Sequence, residues 1–211
     1  MPNFHSLALF VAAGLALNIT PGPDMLYVAT RGVSEGRSAG IVSALGIGVG
    51  TLVHIALVAA GLAAVLTAGP VAYAVIQLGG AAYLIYLGVR AFRARPSVAA
   101  PDLPPASLGA TFRQGVITNV LNPKVALFFL AFLPQFVDPA RGSTASQVIV
   151  LGLLFDTSGT LVNLGVAVAA SRATSRMRGA LTGAGSTLLQ RATGAIFVAL
   201  GLRLAWMSRA G

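Results

Sequence analysis

The chain has 211 residues, of which 56% are hydrophobic and only 9% are charged. In soluble globular domains about a quarter of the residues are charged. The composition therefore excludes a soluble domain and predicts an all-α integral membrane protein. The formal net charge of +9 would suggest a nucleic-acid partner in a soluble protein. Here the arginines stand at the ends of apolar segments, where they fix membrane orientation, and we expect no nucleic-acid partner. The chain has no cysteine, which excludes disulfides and thiolate metal sites, and we expect no metal and no cofactor.

The apolar pattern divides the chain into six transmembrane spans, each of at least roughly 20 residues, the length that crosses a bilayer. The predicted spans cover about 4–30, 40–66, 71–90, 112–132, 148–170 and 188–207. A short polar loop is expected after the first span, from Arg31 to about residue 39, and a Pro-rich cytoplasmic linker covers 96–108. We therefore expect a single transmembrane domain over 1–211, with no room for a second one.

The distribution of basic residues between the loops predicts the orientation of the chain. Most of them follow spans one, three and five, namely Arg31, Arg37, Arg90, Arg93, Arg95, Arg113, Arg172, Arg176, Arg178 and Arg191. The opposite side holds Arg141, Arg203 and Arg209. The positive-inside rule makes the first set cytoplasmic, which places both termini on the periplasmic or extracellular side.

The two halves of the chain resemble each other. The matching segments are 14–18 with 115–119, each followed by a proline, and 80–90 with 194–203. Repeats of three spans each must cross the membrane in opposite senses. We therefore predict two inverted three-helix repeats, 1–95 and 109–211, an architecture associated with alternating access.

Helix-breaking residues interrupt the first span at 18–24 and the fourth span at 119–124. A proline inside a helix frees a backbone carbonyl, which is costly in hydrocarbon unless protein or water satisfies it. Matched breaks in two halves are the best sequence indication of a transporter's substrate site. The predicted substrate-binding residues are Asn18, Pro21, Gly22, Pro23 and Asp24 at the first break, and Asn119, Asn122, Pro123 and Lys124 at the second.

These motifs resemble one family of membrane proteins. Asn-Ile-Thr-Pro-Gly-Pro at 18–23, Gly-Ile-Gly-Val-Gly at 46–50 and Leu-Asn-Pro-Lys-Val-Ala-Leu-Phe-Phe at 121–129 are similar to the LysE/RhtB family of amino-acid exporters. The similarity extends over essentially the whole chain. It implies a six-helix protein of the bacterial inner membrane that expels amino acids such as homoserine, threonine, leucine or lysine, driven by the proton gradient.

Four ionisable residues fall inside the predicted spans: Asp24, His54, Lys124 and Asp156. An intramembrane charge costs at least about 2.5–3.5 kcal/mol on insertion scales and indicates a functional site by default. Export against a gradient needs a driving ion, so we predict proton coupling at Asp24, Asp156 or both. For His54, which lines up with a small-residue helix face, we expect a hydrogen-bonded packing role.

A polar stripe surrounds Asp156 on the fifth span. Its other members, at three- and four-residue spacing, are Gly159, Thr160 and Asn163. A polar stripe in lipid must face the interior of the bundle, so we expect this face to line the site.

Lys124 is the only lysine among the basic residues. Arginine does not lose its proton in proteins, whereas a desolvated lysine does, so a buried lysine is the more adaptable cation. We predict that Asn122 caps the half-helix that begins at the second break, with Pro123 at its first position. Lys124 would then oppose the helix dipole and need a counter-anion, which we expect to be Asp24 or Asp156.

We expect the substrate to be a zwitterionic amino acid held between the two breaks. Its carboxylate suits the half-helix N-terminus and the positive charge at Lys124. Its amine belongs near Asp24, beside the carbonyls that the prolines of the first break leave free. Its side chain would lie against Gly46 and Gly50, in a small pocket that favours neutral amino acids over cationic ones.

Two other functions stay open. An intramembrane protease would need Asp24 and Asp156 to share a proton, or Ser158 to be polarised by His54. A passive amino-acid channel would need an open polar pore where we infer one occluded site. Neither protease geometry explains Lys124, so we predict a transporter and no enzyme. Its partners are the amino acid, the proton and membrane lipid, and a homodimer is left open.

Overall fold

The computed structural model describes residues 4–67, 69–93 and 105–172, together with scattered positions between 191 and 206. Every regular element in these ranges is helical, which confirms the all-α prediction for this part of the chain. Two of its helices are long and apolar enough to cross a membrane, and two bent helix pairs also qualify if each counts as one span. Most of the linker and of the sixth predicted span lies outside the described residues, so six spans in inverted repeats stay a prediction.

The first predicted span is broken at its proline motif, as expected. Helix α1 covers Phe4–Ile19 and helix α2 covers Pro23–Glu35, with a bend of 48° between them. At the end of α1 the Thr20 amide is shared between the carbonyls of Ala16 and Leu17, each 3.2 Å away. The first residue of α2 is a proline, which has no N–H and a preset φ, and therefore starts a helix well but cannot continue one.

The prediction of a polar loop after the first span is wrong. Helix α3, Arg37–Thr67, begins two residues after the end of α2, so that Gly36 alone joins the two helices. Gly36 has φ of 90°, a left-handed conformation that glycine adopts without the penalty a side chain brings. Arg31, which we expected in the loop, lies inside α2 and is only 1% exposed. The charged residues here stay helical because Arg31 pairs with Glu35 one turn later.

Helix α4, Pro70–Arg93, follows α3 after a turn at Gly69, where the sequence predicts one. The chain's last segment approaches α4 through glycines. A Cβ added to either Gly88 or Gly194 would lie 2.7 Å from the carbonyl oxygen of the other. Gly201 approaches the α4 backbone in the same way, at 2.8 Å. Small residues allow this close helix packing in lipid, where burial of apolar surface supplies no attraction.

The fourth predicted span is also broken as expected. Helix α5 covers Leu108–Val120 and helix α6 covers Pro123–Leu127. The chain then continues through a π-helical turn, Phe128–Phe132, and a 3₁₀ turn, Leu133–Phe136. The two arms of this span are bent by 44°. The span is longer than predicted at both ends, because α5 begins earlier and these irregular turns extend it.

Helix α7, Thr144–Ser171, begins behind Ser143, whose hydroxyl accepts a hydrogen bond from the amide of Ser146 at 3.4 Å. It packs on α3, and α3 packs on α5 on its other side, so that α3 is the central helix of the described bundle. Gly46 of α3 and Gly115 of α5 lie face to face, which brings these backbones together. The central helix therefore meets two separate helices of the second repeat that we predicted.

An aromatic cluster packs between α1, the π-helical turn and α7. Phe128 stacks on Phe155 with ring centroids 4.5 Å apart, and it also contacts Phe10 at 5.7 Å. All three rings are at most 4% exposed. Because Phe155 directly precedes Asp156, this apolar cluster ends where the polar interior of the bundle begins.

Candidate functional site

A small, partly open cavity lies where the first break meets α3, α5 and α7. Its polar lining comes from both predicted halves of the chain: Asn18, Asp24, Thr51, Asn119, Asp156 and Asn163. Apolar contacts from Val125 and Phe155 complete it. Convergent polar groups beside an apolar wall are typical of a small-molecule site.

Asp24 projects from the first turn of α2 and is 7% exposed. Its Oδ2 accepts a hydrogen bond of 2.9 Å from Nδ2 of Asn119, near the end of α5. Its Oδ1 is buried and has no hydrogen-bond partner among the described residues. The carboxylate therefore complements the positive end of α2 and contacts the second break, where the side chain of Asn122 also acts on it.

Lys124 reaches in the opposite direction. Its Nζ donates to the carbonyl oxygens of Leu17 at 3.2 Å and Thr20 at 3.1 Å, at the end of α1. A Cβ added to Gly22 would lie 3.1 Å from this ammonium, so the glycine leaves room for it. Asp24 is near enough to act on Lys124 electrostatically, as expected of a counter-anion, but both hydrogen bonds of Lys124 go to backbone carbonyls. Of these, the Leu17 carbonyl also accepts from the Thr20 amide at 3.2 Å.

The two breaks therefore hold each other. From α2, Asp24 crosses to the end of α5, and from α6, Lys124 crosses to the end of α1. We call these two reciprocal contacts the crossed clasp: Asp24 on Asn119, and Lys124 on the carbonyls of Leu17 and Thr20. The predicted proximity of the breaks is confirmed.

Asn122 caps α6, as predicted. Its Oδ1 accepts from the amide of Lys124 at 3.0 Å, and Pro123 occupies the first helical position. The side chain is 1% exposed, and its Nδ2 donor has no partner in the part of the chain that the structure describes. A buried amide with an unused donor is rare in proteins and indicates a place for a ligand or a water.

Asn18 and Asp156 line the side of the cavity formed by α1 and α7. The Nδ2 of Asn18 donates to the Phe155 carbonyl at 3.1 Å and to Oγ of Ser158 at 3.0 Å. Asp156 accepts from Thr160 at 3.4 Å. All four members of the predicted polar stripe on α7 line the cavity, which confirms that this face points inward.

The structure places Gly46 and Gly50 away from the cavity, although we expected them to line the substrate pocket. A Cβ on Gly46 would lie 2.4 Å from the Phe112 carbonyl, and a Cβ on Gly50 would lie 2.7 Å from Cβ of Asn119. Both glycines therefore pack α3 on α5. Gly48, on the opposite face of α3, meets Thr160 and Asp156 instead.

His54 takes the packing role that we expected. It is 6% exposed, its Nε2 lies 3.1 Å from the carbonyl oxygen of Asn119, and its ring stacks on Phe129. The serine-protease alternative needs a contact between His54 and Ser158. Ser158 instead donates to the Phe155 carbonyl at 2.8 Å and accepts from Asn18.

The comparison with protein families agrees with this arrangement. The family model described as LysE type translocator matches residues 15–208, nearly the whole chain. The chain belongs to the LysE type translocator family. The matched range contains both helix breaks, the crossed clasp and the lining of the cavity.

Relatives of this LysE-type chain match it over almost their full length. It is 28% identical to a homoserine/homoserine lactone efflux protein of Salmonella typhimurium over 197 residues, covering 93% of this chain and 94% of the relative. It is 28% identical to an uncharacterised membrane protein of Vibrio cholerae over 204 residues, with 96% and 98% covered. An uncharacterised membrane protein of Pseudomonas aeruginosa is 32% identical over 200 residues, with 89% and 88% covered. No solved structure matches the chain.

The LysE-type chain also contains a polar cluster around the buried Arg31 that the sequence analysis missed. Arg31 donates to Glu35 and, at 2.6 Å, to Oε1 of Gln114 on α5, and it lies 5.7 Å from the centre of the Tyr27 ring. Glu35 also accepts from the amide of Ala106, just before α5, at 3.2 Å. The i, i+4 spacing of Arg31 and Glu35 within one helix is the signal that would have found the pair. The cluster joins α2 to α5 about two helical turns from Asp24.

Proposed function

We propose that this chain is a secondary active transporter that exports small neutral amino acids from the cytoplasm. The observation that carries the proposal is the crossed clasp, in which two broken helices hold each other beside a polar cavity. Broken helices that meet at one central site are the design that secondary carriers use for substrate and coupling ion. Membership of a translocator family and full-length similarity to a protein named for homoserine efflux support export of an amino acid of this kind.

The geometry supports an orientation for the substrate. The Oδ1 of Asp24 is an acceptor suited to the ammonium group, and the Nδ2 of Asn122 is a donor suited to the carboxylate. The Asn122 side chain also interacts with Asp24, so the substrate would come between them. Lys124, next in sequence to the Asn122 and Pro123 cap, adds positive charge on the carboxylate side. The cavity is small, and the charge of Lys124 already acts on Asp24, so a substrate with a second cationic group would fit poorly.

We further propose that export is driven by proton antiport through Asp24, Asp156 or both. These two carboxylates face the same cavity, one from each predicted repeat. The proposed cycle alternates access to this cavity between the two sides of a bacterial inner membrane, with both termini outside. Opening to the cytoplasm would separate α2 from α5 and break the Arg31 contact with Gln114.

Counterflow in proteoliposomes tests the export proposal. Purified protein should exchange labelled homoserine, threonine or leucine against unlabelled amino acid inside the vesicles, in a saturable way. A passive channel would equilibrate the label without accumulating it, and an intramembrane protease would cleave a peptide without any exchange. Either of those results would contradict the proposal.

Competition by derivatives tests the orientation of the substrate. In the unmodified protein, both the amide and the N-acetyl derivative of the substrate should compete poorly. In Lys124→Gln, discrimination against the amide should collapse while discrimination against the N-acetyl derivative persists. Arg141→Gln is the matched control, because it removes a half-exposed cation that pairs with Asp138 at 3.0 Å, far from the breaks in sequence. If Lys124→Gln instead lost discrimination against the N-acetyl derivative and kept it against the amide, the substrate would bind in the reverse orientation.

Single carboxylate variants test the proton coupling. If Asp156 carries the coupling proton, then Asp156→Asn should abolish accumulation driven by a pH gradient while counterflow, which needs no net proton movement, continues. Asp24→Asn should weaken both accumulation and counterflow, because Asp24 is also the proposed partner of the substrate ammonium. Retained pH-gradient-driven export in both variants would exclude both carboxylates as obligate proton carriers.

A further inference from the structure

Thr51 occupies a central position among the polar groups of the cavity, although it belongs to neither break. It lies on α3 and is 4% exposed. Its hydroxyl is 3.4 Å from Oδ1 of Asn119 and 3.3 Å from the carbonyl oxygen of Ile47. On the other side it faces Asp156, with which it also interacts across the cavity. A single hydroxyl therefore stands between the second break and the acidic residue of α7.

Asn119 extends this series of contacts to the second acidic residue. While its Oδ1 faces Thr51, its Nδ2 donates to Asp24 at 2.9 Å. The side chains of Asp24, Asn119, Thr51 and Asp156 thus form a continuous polar series between the two carboxylates. Successive members come alternately from the first and second halves of the chain, so the series spans the contact between the two predicted repeats.

The proton of the Thr51 hydroxyl can be used in only one hydrogen bond at a time. An ionised Asp156 only accepts hydrogen bonds, so it competes for this proton with Asn119 and with the Ile47 carbonyl. A protonated Asp156 can instead donate to the Thr51 oxygen, which releases the hydroxyl proton for Oδ1 of Asn119. An amide whose oxygen accepts a hydrogen bond becomes a better donor at its nitrogen, and here that nitrogen donates to Asp24.

We propose that Thr51 is a positioning residue that couples the protonation of Asp156 to that of Asp24 through Asn119. The inference rests on the proposed function, in which these two carboxylates carry the coupling proton. When Asp156 is protonated, the Thr51 hydroxyl donates to Asn119, and the Asn119 amide then stabilises Asp24 in its ionised form. When Asp156 loses its proton, the Thr51 hydroxyl donates to Asp156 again. The pair therefore holds one proton in preference to two.

Two other charged or titratable residues, Lys124 and His54, lie near this series and contribute to its electrostatic surroundings. Lys124 approaches Asp24 from α6 but donates to the carbonyls of Leu17 and Thr20. His54, one turn along α3, contacts the backbone carbonyl of Asn119 and not its side chain. Neither lies in the series, so a change at Thr51 leaves both in place.

Infrared titration of the protein in lipid tests the coupling without any transport. The bands of the protonated carboxyl groups are assigned by their loss in Asp24→Asn and in Asp156→Asn. With Thr51 present, Asp24→Asn should move the titration midpoint of Asp156 by about tenfold in proton concentration, the effect of one hydrogen bond to a charged group. In Thr51→Val this displacement should fall to about threefold or less, the remainder being direct repulsion between the carboxylates.

Two control variants separate the hydroxyl from its packing. Thr51→Ser keeps the hydroxyl and should keep the tenfold displacement. Ser43→Ala removes another buried α3 hydroxyl, which donates to the Ala39 carbonyl at 2.8 Å, and should also leave the displacement unchanged. If Thr51→Val does not fold in lipid, Thr51→Ala is titrated in its place.

A displacement that is equally large with Thr51 present and in Thr51→Val, or in Thr51→Ala where that variant replaces it, would overturn the inference. A displacement lost in Thr51→Ser as well would overturn it too, because the hydroxyl would then not be the cause. Failure of the proposed function is seen separately: a protein that shows no counterflow but titrates as described refutes export and retains the coupling. A protein that exports normally with two carboxylates insensitive to Thr51 refutes the coupling alone.

Discussion

The two helix breaks are built from the same parts but are stabilised differently. Each has a proline at the first position of its second half-helix and a charged residue directly after it, Asp24 in α2 and Lys124 in α6. The acidic residue complements the positive end of its own helix, whereas the lysine opposes it. Asn122 caps α6 with its side chain, while Gly22 gives α2 no side-chain cap.

This difference shows that the first break depends on the second. The carbonyls of Leu17 and Thr20 at the first break receive their donors from Lys124, a residue of the other half. The second break has its own cap in Asn122 and receives from Asp24 only an acceptor for Asn119. The first break should therefore loosen when the halves separate, and the second should keep its shape.

Removal of Lys124 should have the largest effect on stability and should show the difference between the two breaks most clearly. In Lys124→Met the side chain keeps its length but no longer donates to the carbonyls of Leu17 and Thr20, and each lost hydrogen bond to a charged group costs about 1.5–3 kcal/mol. We expect a clear fall in the melting temperature of the purified protein in detergent. Amide exchange, measured by mass spectrometry, should rise at residues 17–24 and much less at 119–124. Faster exchange at the second break than at the first would contradict the dependence described above.

A methyl group at Gly50 should have the next largest effect, because it pushes on the second break. Its Cβ would lie 2.7 Å from Cβ of Asn119 and 2.9 Å from the carbonyl oxygen of Val116, and neither atom can swing away. Overpacking of this kind costs about 1–3 kcal/mol, which outweighs the gain in helix propensity of about 1 kcal/mol at most. Gly50→Ala should therefore melt earlier than the unmodified protein. Gly61→Ala is the control on the same helix, since nothing lies within 4 Å of a Cβ there.

The features that the sequence predicted correctly depend on local chemistry. A proline inside a helix removes a backbone donor and clashes with the preceding turn whatever its neighbours are, so both breaks and the start of α6 could be placed from the sequence. The inward face of α7 followed from helical spacing around Asp156. These features need no knowledge of which helices are neighbours.

The features that were missed depend on tertiary contacts. Hydropathy treats Arg31 as a loop residue because a sequence does not show that Gln114 will accept its hydrogen bond. The partners of Lys124 are backbone carbonyls, which carry no sequence signal. Gly46 and Gly48 look alike in a sequence, yet one packs on α5 and the other packs on Thr160 and Asp156 of α7.

Loss of the side-chain cap should have a smaller effect. Asn122→Ala removes the hydrogen bond to the Lys124 amide, and loss of an N-cap costs about 1 kcal/mol. We expect a modest fall in melting temperature without substrate. If Nδ2 of Asn122 binds the substrate carboxylate, added substrate should raise the melting temperature less in this variant than in the unmodified protein. An unchanged melting temperature in Asn122→Ala would contradict the capping role of Asn122, and with it the asymmetry between the breaks.

A methyl group at Gly159 should have the smallest effect on stability, although this glycine meets Asn18 much as Gly50 meets Asn119. The Cβ would lie 2.9 Å from Oδ1 of Asn18, but that atom ends a flexible side chain and can turn away. The gain in helix propensity, about 1 kcal/mol at most, then roughly offsets the displacement of the amide. We expect Gly159→Ala to melt within a few degrees of the unmodified protein, yet to show weaker counterflow, since the displaced amide belongs to the cavity lining. A melting temperature as low as that of Gly50→Ala would show that Asn18 is held as rigidly as Asn119, and that the two breaks are more alike than the crossed clasp indicates.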